Sequence, residues 1–180
     1  MRITKDNSIG LVIDMQSRLY PFINEHEQLT RNADILIRGM REIGLEIIIT
    51  EQYTKGLGQT IEPLALALGD YEPIEKMAFS CCDEPSFYEA LTIRNRKFAI
   101  ITGIETHVCV LQTAIDLLDS GFIPVIVEDC VGSRRINDKS MAIQRMRQSG
   151  AIITTYESIL FELLQYSGTD TFRAISKLVK

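Results

Sequence analysis

The segment Ile9-Gly10-Leu11-Val12-Ile13-Asp14 indicates the fold class of this chain. Its first five residues carry no polar side chain on either face, which is typical of a strand buried between two helical layers. Asp14 then places a carboxylate directly after an apolar strand, where an ionised group is costly unless it is paired or takes part in chemistry. A loop-capping carboxylate is the other interpretation of Asp14. The segment therefore predicts a parallel sheet with a candidate functional residue at one strand end.

Similar runs recur along the chain and alternate with longer helical patterns. The further strands are predicted at 45–49, 73–76, 97–101, 123–127 and 151–154, and helices at 28–43, 106–120, 137–149, 157–166 and 171–179. Asn137 is the predicted N-cap of its helix. This alternation is the signature of βαβ units. We therefore expect one doubly wound α/β domain over residues 1–180.

The composition narrows the possible functions. The chain has 180 residues, of which 46 % are hydrophobic and 24 % charged, with a net charge of −5. Disorder is thereby excluded, and an acidic chain is a poor partner for nucleic acid. No apolar run approaches the roughly 20 residues that cross a bilayer, and the N-terminus lacks a secretory pattern. We expect a cytoplasmic protein whose four cysteines are reduced thiols.

Ligands of doubly wound sheets bind at the carboxyl ends of the strands. Cys109 lies in the first turn of the helix predicted over 106–120, which follows the strand predicted at 97–101. A helix start favours a thiolate and lowers the thiol pKa, so Cys109 is a candidate nucleophile. Asp14 is the candidate base, and Lys76 the nearest candidate cation. A buried structural thiol at Cys109 and a solvated surface lysine at Lys76 are the alternative interpretations.

The other cysteines and the histidines are weaker candidates. Cys81 and Cys82 are adjacent and lack metal-ligand spacing, and Cys130 follows two acidic residues. We interpret all three as structural or loop thiols. His107 is two residues from Cys109, a helical spacing that does not share a face. The only other histidine lies far away in sequence, so no metal site and no cofactor is predicted.

Taken together, these residues resemble the isochorismatase-like cysteine hydrolase superfamily over nearly the whole chain. The resemblance rests on an Asp, a Lys and a Cys in the family's order and on a specific segment around the Cys. Its pieces are residues 11–16, 50–53 with 56–58, 75–77 with 79–81, 102–114, 129–134 and 154–158. It implies a three-layer α/β/α sandwich with a six-stranded, mostly parallel, doubly wound sheet.

The resemblance also implies a mechanism. Cys109 would attack a carbonyl as the nucleophile, Asp14 would take its proton, and Lys76 would assist through its charge. A cis, non-proline peptide would join Ile104 to Glu105 and direct the Glu105 N–H, with that of Cys109, into an oxyanion hole.

Two subgroups of the family are disfavoured by particular residues. True isochorismatases lack the nucleophilic cysteine, so Cys109 argues against that activity. Nicotinamidases add a zinc site with histidines after the second strand, where this chain has Glu51-Gln52-Tyr53. The expected function is therefore metal-independent hydrolysis of a C–N bond, in an amide or carbamoyl group of a small molecule, through a thioester.

The substrate pocket is expected to be shaped by side chains near the strand ends, which are Gln16, Tyr20, Phe22, Tyr53 and His107. The expected partners are a small carbonyl substrate and further copies of the chain, with no nucleic acid and no membrane. The alternative function is that of a binding or scaffold protein that retains Asp14, Lys76 and Cys109 without catalysis. A redox role for the four thiols is a third possibility.

Overall fold

A six-stranded sheet forms the centre of the computed structural model, which describes residues 2–180. Met1, the first residue of the predicted domain, lies outside the described residues. The strands are β1 (Ser8–Ile13), β2 (Ile47–Gln52), β3 (Ile74–Lys76), β4 (Phe98–Ile104), β5 (Ile123–Gly132) and β6 (Ile152–Thr154). Every pairing between neighbouring strands is parallel, so the sheet is parallel throughout rather than mostly parallel.

The order of the strands is β3-β2-β1-β4-β5-β6. The chain places β2 and then β3 on one side of β1, and it places β4, β5 and β6 in turn on the other side. The direction of growth reverses between β1 and β4, and ligands of such sheets bind outside the carboxyl ends of the strands at this point. Asp14 follows β1 and Cys109 follows β4, so the fold places both candidates at the reversal.

Helices cover both faces of the sheet, which confirms the three-layer α/β/α sandwich. They are α1 (His26–Ile43), α2 (Thr54–Leu57), α3 (Glu62–Leu68), α4 (Pro85–Arg94), α5 (Leu111–Asp119), α6 (Ile136–Ser149), α7 (Tyr156–Leu164) and α8 (Asp170–Leu178). One apolar core joins the sheet to α1, α3, α7 and α8. A second core joins the opposite face to α4, α5 and α6.

The two cores explain why β1 is apolar from Ile9 to Ile13. Val12 points into the core beneath α1, whereas Leu11 and Ile13 point into the core beneath α5. All six residues of β1 are buried. Side chains alternate across a strand, so a strand covered on both faces needs apolar residues at every position.

The structure adds three helices to the five that the sequence predicts. Helix α2 is a single turn, and α3 buries Leu64, Ala67 and Leu68 within seven residues. Helix α4 buries only Phe87 and Leu91. Short helices with few buried residues give a weak periodic signal, which is why the pattern along the chain does not identify them.

Two predicted helix starts need correction. Helix α6 begins at Ile136 with Arg135 as its cap, so Asn137 lies inside the first turn and is not the N-cap. The helix predicted over 106–120 is two elements, a π-helical segment at Thr106–Val110 followed by α5. Cys109 therefore lies in the π-helical segment and not in the first turn of an α-helix.

Gly103 provides a test of how closely β1 and β4 approach each other beneath the site. A Cβ atom added at Gly103 would lie 2.5 Å from the carbonyl oxygen of Ile13 and 2.7 Å from its Cβ. Because most of this contact is with backbone, we expect Gly103→Ala to lower the free energy of unfolding by about 3 kcal/mol or more. Urea denaturation of the wild type and the variant measures this change.

Gly168→Ala is the matched control, because nothing lies within 4 Å of a Cβ added at that position. Its positive φ of 86° leaves only a backbone cost of about 1–2 kcal/mol. Equal losses in the two variants would contradict the close approach of β1 and β4 at Gly103.

Candidate active site

Four consecutive segments of the sheet bring their polar residues together at one edge. Asp14 follows β1, Gln52 ends β2, Lys76 ends β3, and Cys109 lies just beyond β4. The register pairs Gln52 with Lys76, so the two residues are at the same level of the sheet. Parallel strands end at the same edge, which is why residues up to 95 positions apart in sequence meet here.

Asp14 and Lys76 form a buried ion pair. Lys76 Nζ donates to Asp14 Oδ2 at 2.6 Å, and each residue is only 1 % exposed. Thr50 Oγ1 donates to the other carboxylate oxygen at 2.8 Å. Lys76 Nζ also donates to the carbonyl oxygens of Ala78 at 3.1 Å and Phe79 at 3.2 Å. Both charges are therefore held in place by hydrogen bonds from several directions.

The charge of Lys76 is maintained despite its burial. Removal from water lowers the pKa of Lys76, but the negative charge of Asp14 and the thiols of Cys81 and Cys109 raise it, and the net pKa is above its ordinary value. The ammonium group is thus a permanent cation of the site at neutral pH.

Cys109 is 5 % exposed, and its thiol donates to Gln52 Oε1 at 3.2 Å. Burial and then the negative charge of Asp14 raise the pKa of Cys109 well above its ordinary value, although Lys76 opposes this. The sequence-based expectation of a lowered pKa at Cys109 is therefore wrong. A base must remove the thiol proton before the sulfur can attack.

The backbone at two of these strand ends is in an unusual conformation. Asp14 has φ 53° and Tyr53 has φ 41°, both in the left-handed region that non-glycine residues rarely adopt. Such conformations cost about 1–3 kcal/mol and cluster at functional sites. Two of the five non-glycine residues with positive φ in residues 2–180 therefore lie at this edge of the sheet, after β1 and β2.

The peptide bond between Ile104 and Glu105 is cis, as the family resemblance implies. Glu105 is 6 % exposed, and its carboxylate accepts from the backbone N–H of Arg134 at 3.0 Å and from Arg134 Nε at 3.1 Å. The side chain of Glu105 is thereby engaged by Arg134, and its backbone is fixed where β4 leads into the segment of Cys109.

Two of the expected pocket residues adjoin this cluster. Gln16 is fully buried, and its carboxamide holds the backbone of Gln52 through bonds of 2.7 Å to the N–H and 3.0 Å to the carbonyl oxygen. The backbone N–H of Tyr53 donates to the carbonyl oxygen of Lys76 at 3.0 Å, and its ring is about half exposed. Gln16 thus positions Gln52 rather than facing solvent.

Of the other three expected pocket residues, two have hydrogen-bond partners outside the cluster and the third is exposed. Tyr20 is buried in the core beneath α1, and its hydroxyl accepts from Thr30 at 3.0 Å. His107 Nδ1 lies 3.0 Å from Ser133 Oγ, and Phe22 is 68 % exposed. A role for these three residues in substrate binding stays a prediction.

Thr50 and Gln52 also belong to the candidate site, because they contact Asp14, Lys76 and Cys109, although the sequence pattern assigns them no role. They are two positions apart in β2, so both side chains point to the face that carries Asp14 and Lys76. Glu51 points the other way and accepts from Thr60 Oγ1 at 2.7 Å. Their spacing after the apolar run was the available signal, but the predicted strand ended at residue 49.

The remaining thiols are free and are held protonated. Burial raises the pKa of Cys81 to about 11 and that of Cys82 to about 12, and Cys130 is fully buried. Within residues 2–180, no group of three or more His, Cys, Asp and Glu side chains is arranged to hold a metal ion. No helix of that range is long and apolar enough to cross a membrane.

Comparison with known proteins places this arrangement in a family, because a model of the isochorismatase domain matches residues 8–158. The chain belongs to the isochorismatase family. Isochorismatase family protein 1B of Dictyostelium discoideum is 37 % identical to it, over 99 % of this chain and 89 % of the relative. The family is one of hydrolases, and the α/β fold described above is its fold.

Solved structures agree with this assignment to the isochorismatase family. The structure of MAR1 ribonuclease from Caenorhabditis elegans is 37 % identical, with a TM-score of 0.93 over 99 % of this chain and 92 % of that one. The YcaC gene product of Escherichia coli, described as an octameric hydrolase of unknown specificity, has a TM-score of 0.92 over 99 % of this chain and 90 % of that one. Its identity of 23 % shows a shared fold alone.

The ion pair predicts a non-additive effect on stability. We expect Lys76→Met to lower the free energy of unfolding by about 3–5 kcal/mol, because it leaves the Asp14 carboxylate buried without a counter-charge. Adding Asp14→Asn removes that carboxylate and should restore most of the loss. Urea denaturation of the wild type, both single variants and the double variant measures the coupling. A double variant whose loss equals the sum of the single losses would contradict the pair.

The raised pKa of Cys81 predicts that the protein loses stability at alkaline pH. The Cys81 thiol has a pKa of about 11 in the folded protein and 9.0 without the protein's influence, so the unfolded chain loses this proton first. The stabilisation is complete below pH 9.0 and is lost as the pH rises toward about 11, by about 1.4 kcal/mol per pH unit. Cys81→Ser removes this titration and should flatten the decline of stability with pH.

Urea denaturation across this pH range measures the slope, and Cys81→Ala is the matched control. Both substitutions remove the thiol, so they should flatten the profile equally even where their stabilities at neutral pH differ. A variant profile parallel to that of the wild type would show that Cys81 does not contribute.

Proposed function

We propose that this chain is a cysteine hydrolase that cleaves the C–N bond of an amide or carbamoyl group in a small molecule. The observation that carries the proposal is the buried Asp14–Lys76 ion pair beside the thiol of Cys109, at the reversal point of the sheet. A nucleophile whose ionisation is governed by an ion-paired base and a fixed cation supplies the groups that acyl transfer needs.

In the first half of the reaction, the thiol proton passes to the carboxylate of Asp14 and the sulfur attacks the substrate carbonyl carbon. The negative charge that develops on the carbonyl oxygen is stabilised by the backbone N–H groups of Glu105 and Cys109. When the intermediate collapses, the C–N bond breaks and the nitrogen takes the proton from Asp14. The acyl group remains on Cys109 as a thioester.

In the second half, Asp14 accepts a proton from water, and the resulting hydroxide attacks the thioester carbonyl. The C–S bond breaks, the acid product leaves, and the proton returns from Asp14 to the sulfur. Lys76 stays protonated throughout and opposes each negative charge that forms beside it. No redox change occurs, and the only co-substrate is water.

The donor set around the site favours a reaction without a metal ion. Glu51, in the region where zinc-dependent relatives are expected to carry metal ligands, is bound to the N–H and hydroxyl of Thr60 at 2.7 Å each. The low exposure of Cys109 favours a substrate of small size. We further propose a cytoplasmic location and a homo-oligomeric state.

An assay of turnover also tests two other functions. A binding or scaffold protein with the same three residues would bind small carbonyl compounds without turning them over. The Caenorhabditis elegans relative is named a ribonuclease, although the net charge of −5 of this chain disfavours contacts with phosphates. RNA therefore belongs in the assay beside amides and carbamoyl compounds.

The proposal predicts a selective loss of turnover in Cys109→Ala. With a panel of small amides and carbamoyl compounds, we expect this variant and Asp14→Asn each to lose at least about a thousandfold in kcat/KM, because both act in the same proton transfer. Rapid quenching of the wild type followed by intact mass spectrometry should reveal an acyl adduct on Cys109.

Cys82→Ala is the matched control and should keep wild-type activity. The hydrogen bonds that hold the side chains of Asp14 and Lys76 do not involve the thiol of Cys82. Retained activity in Cys109→Ala would refute the nucleophile. Cleavage of RNA with no turnover of the panel would favour the ribonuclease, and saturable binding without turnover would favour a binding protein.

A further inference from the structure

The side chain of Gln52 is a hydrogen-bond partner of the candidate nucleophile. Its Oε1 atom accepts from Cys109 Sγ at 3.2 Å and lies 3.5 Å from Lys76 Nζ, while its Nε2 atom faces the carbonyl oxygen of Met77 at 3.4 Å. The opposite orientation would turn the amide N–H groups toward the ammonium of Lys76. Charge therefore fixes the carboxamide with its oxygen toward the sulfur.

The backbone of Gln52 is fixed, whereas its side chain is not enclosed. Gln16 bonds to both the N–H and the carbonyl oxygen of Gln52, and its Nε2 also donates to the carbonyl oxygen of Gly58 at 2.6 Å. Gln16 is fully buried, but Gln52 is only partly buried. The carboxamide is thus delivered to the sulfur by a rigid strand end and is accessible to a ligand that enters the site.

A hydrogen bond from a thiol to a carbonyl oxygen stabilises the neutral form of sulfur. The same oxygen carries a partial negative charge, which opposes a thiolate at 3.2 Å. The other charged and titratable groups around the sulfur are Asp14 after β1, Lys76 at the end of β3, Cys81 in the segment after β3, and His107 and Glu105 near Cys109 itself. Lys76 is the cation that favours the thiolate most directly, and its ammonium is already bonded to Asp14.

We propose that Gln52 is a positioning residue that holds Cys109 as a protonated thiol in the free protein. Proton transfer to Asp14 then requires the S–H bond to turn away from Gln52 Oε1. The bond that breaks is S–H, the electron pair stays on sulfur, and the proton goes to a carboxylate oxygen of Asp14. A carbonyl compound that takes the place of the carboxamide beside the sulfur leaves Asp14 as the acceptor of that proton.

This inference rests on Cys109 being the nucleophile, but its test needs no turnover. The readout is the rate at which iodoacetamide alkylates Cys109 in the free protein, followed by peptide mass spectrometry at neutral and mildly alkaline pH. Gln52→Leu and Gln52→Ala both remove the acceptor, and we expect them to raise this rate about three- to tenfold, the equivalent of one ordinary hydrogen bond. Gln52→Glu places a negative charge beside the sulfur and should lower the rate by a similar factor.

The set of variants separates the electrostatic effect from a change in access to the sulfur. If access controlled the rate, Gln52→Ala would react much faster than Gln52→Leu, and Gln52→Glu would match the wild type. Either result overturns the inference, as do rates unchanged in all three variants. Gln144→Leu, on the exposed face of α6, is the matched control and should react like the wild type, and thermal unfolding confirms that each variant is folded.

Failure of this inference and failure of the proposed function have different signatures. If Gln52 does not control the thiol, the alkylation rates contradict it while Cys109→Ala still abolishes turnover. If the chain is not a hydrolase, the panel shows no turnover while the alkylation rates still follow the expected order.

Discussion

The ion pair between Asp14 and Lys76 is the constraint on which the site depends. A carboxylate and an ammonium lose several kcal/mol each on leaving water, and their attraction compensates only when further hydrogen bonds satisfy both groups. Here the hydroxyl of Thr50 donates a hydrogen bond to the carboxylate, and the carbonyl oxygens of Ala78 and Phe79 accept hydrogen bonds from the ammonium. The segment after β3 must therefore lie across the end of the sheet, which also brings its chain beside the thiol.

The same pair explains how a strand as short as β3 keeps its place at the edge of the sheet. β3 has three residues, and its register with β2 ends at Lys76 opposite Gln52. Ladder hydrogen bonds over so few residues hold a strand only weakly. The salt bridge from Lys76 reaches across to Asp14 at the end of β1, so the chemistry of the site and the attachment of the edge strand depend on one contact.

The sequence allows the layers of the fold and the three charged or nucleophilic groups to be predicted, because each has a local signature. Asp14 interrupts an apolar run, and Cys109 lies in a segment specific to the family. Thr50 and Gln52 carry no such signature, since a polar residue after a strand usually faces solvent. Their roles arise from the strand order, which places β2 between β1 and β3. The π-helical turn around Cys109 is likewise a product of packing, because its residues also suit an ordinary helix.

Charge conservation within this buried site favours one order of events. In the free protein, the charges of the Asp14 carboxylate and the Lys76 ammonium cancel, and Cys109 is neutral. A preformed thiolate beside an ionised Asp14 would leave a net negative charge in a region that water hardly reaches, which burial strongly disfavours. Transfer of the thiol proton to Asp14 keeps the total at zero, and so does the next step, in which the charge moves from sulfur to the substrate oxygen. Lys76 is the counter-charge at every stage, so the reactivity of Cys109 depends on when the thiol proton is transferred to Asp14. Gln52 delays this transfer by accepting the S–H hydrogen bond, and it thereby controls the reactivity of Cys109 without adding a charge of its own.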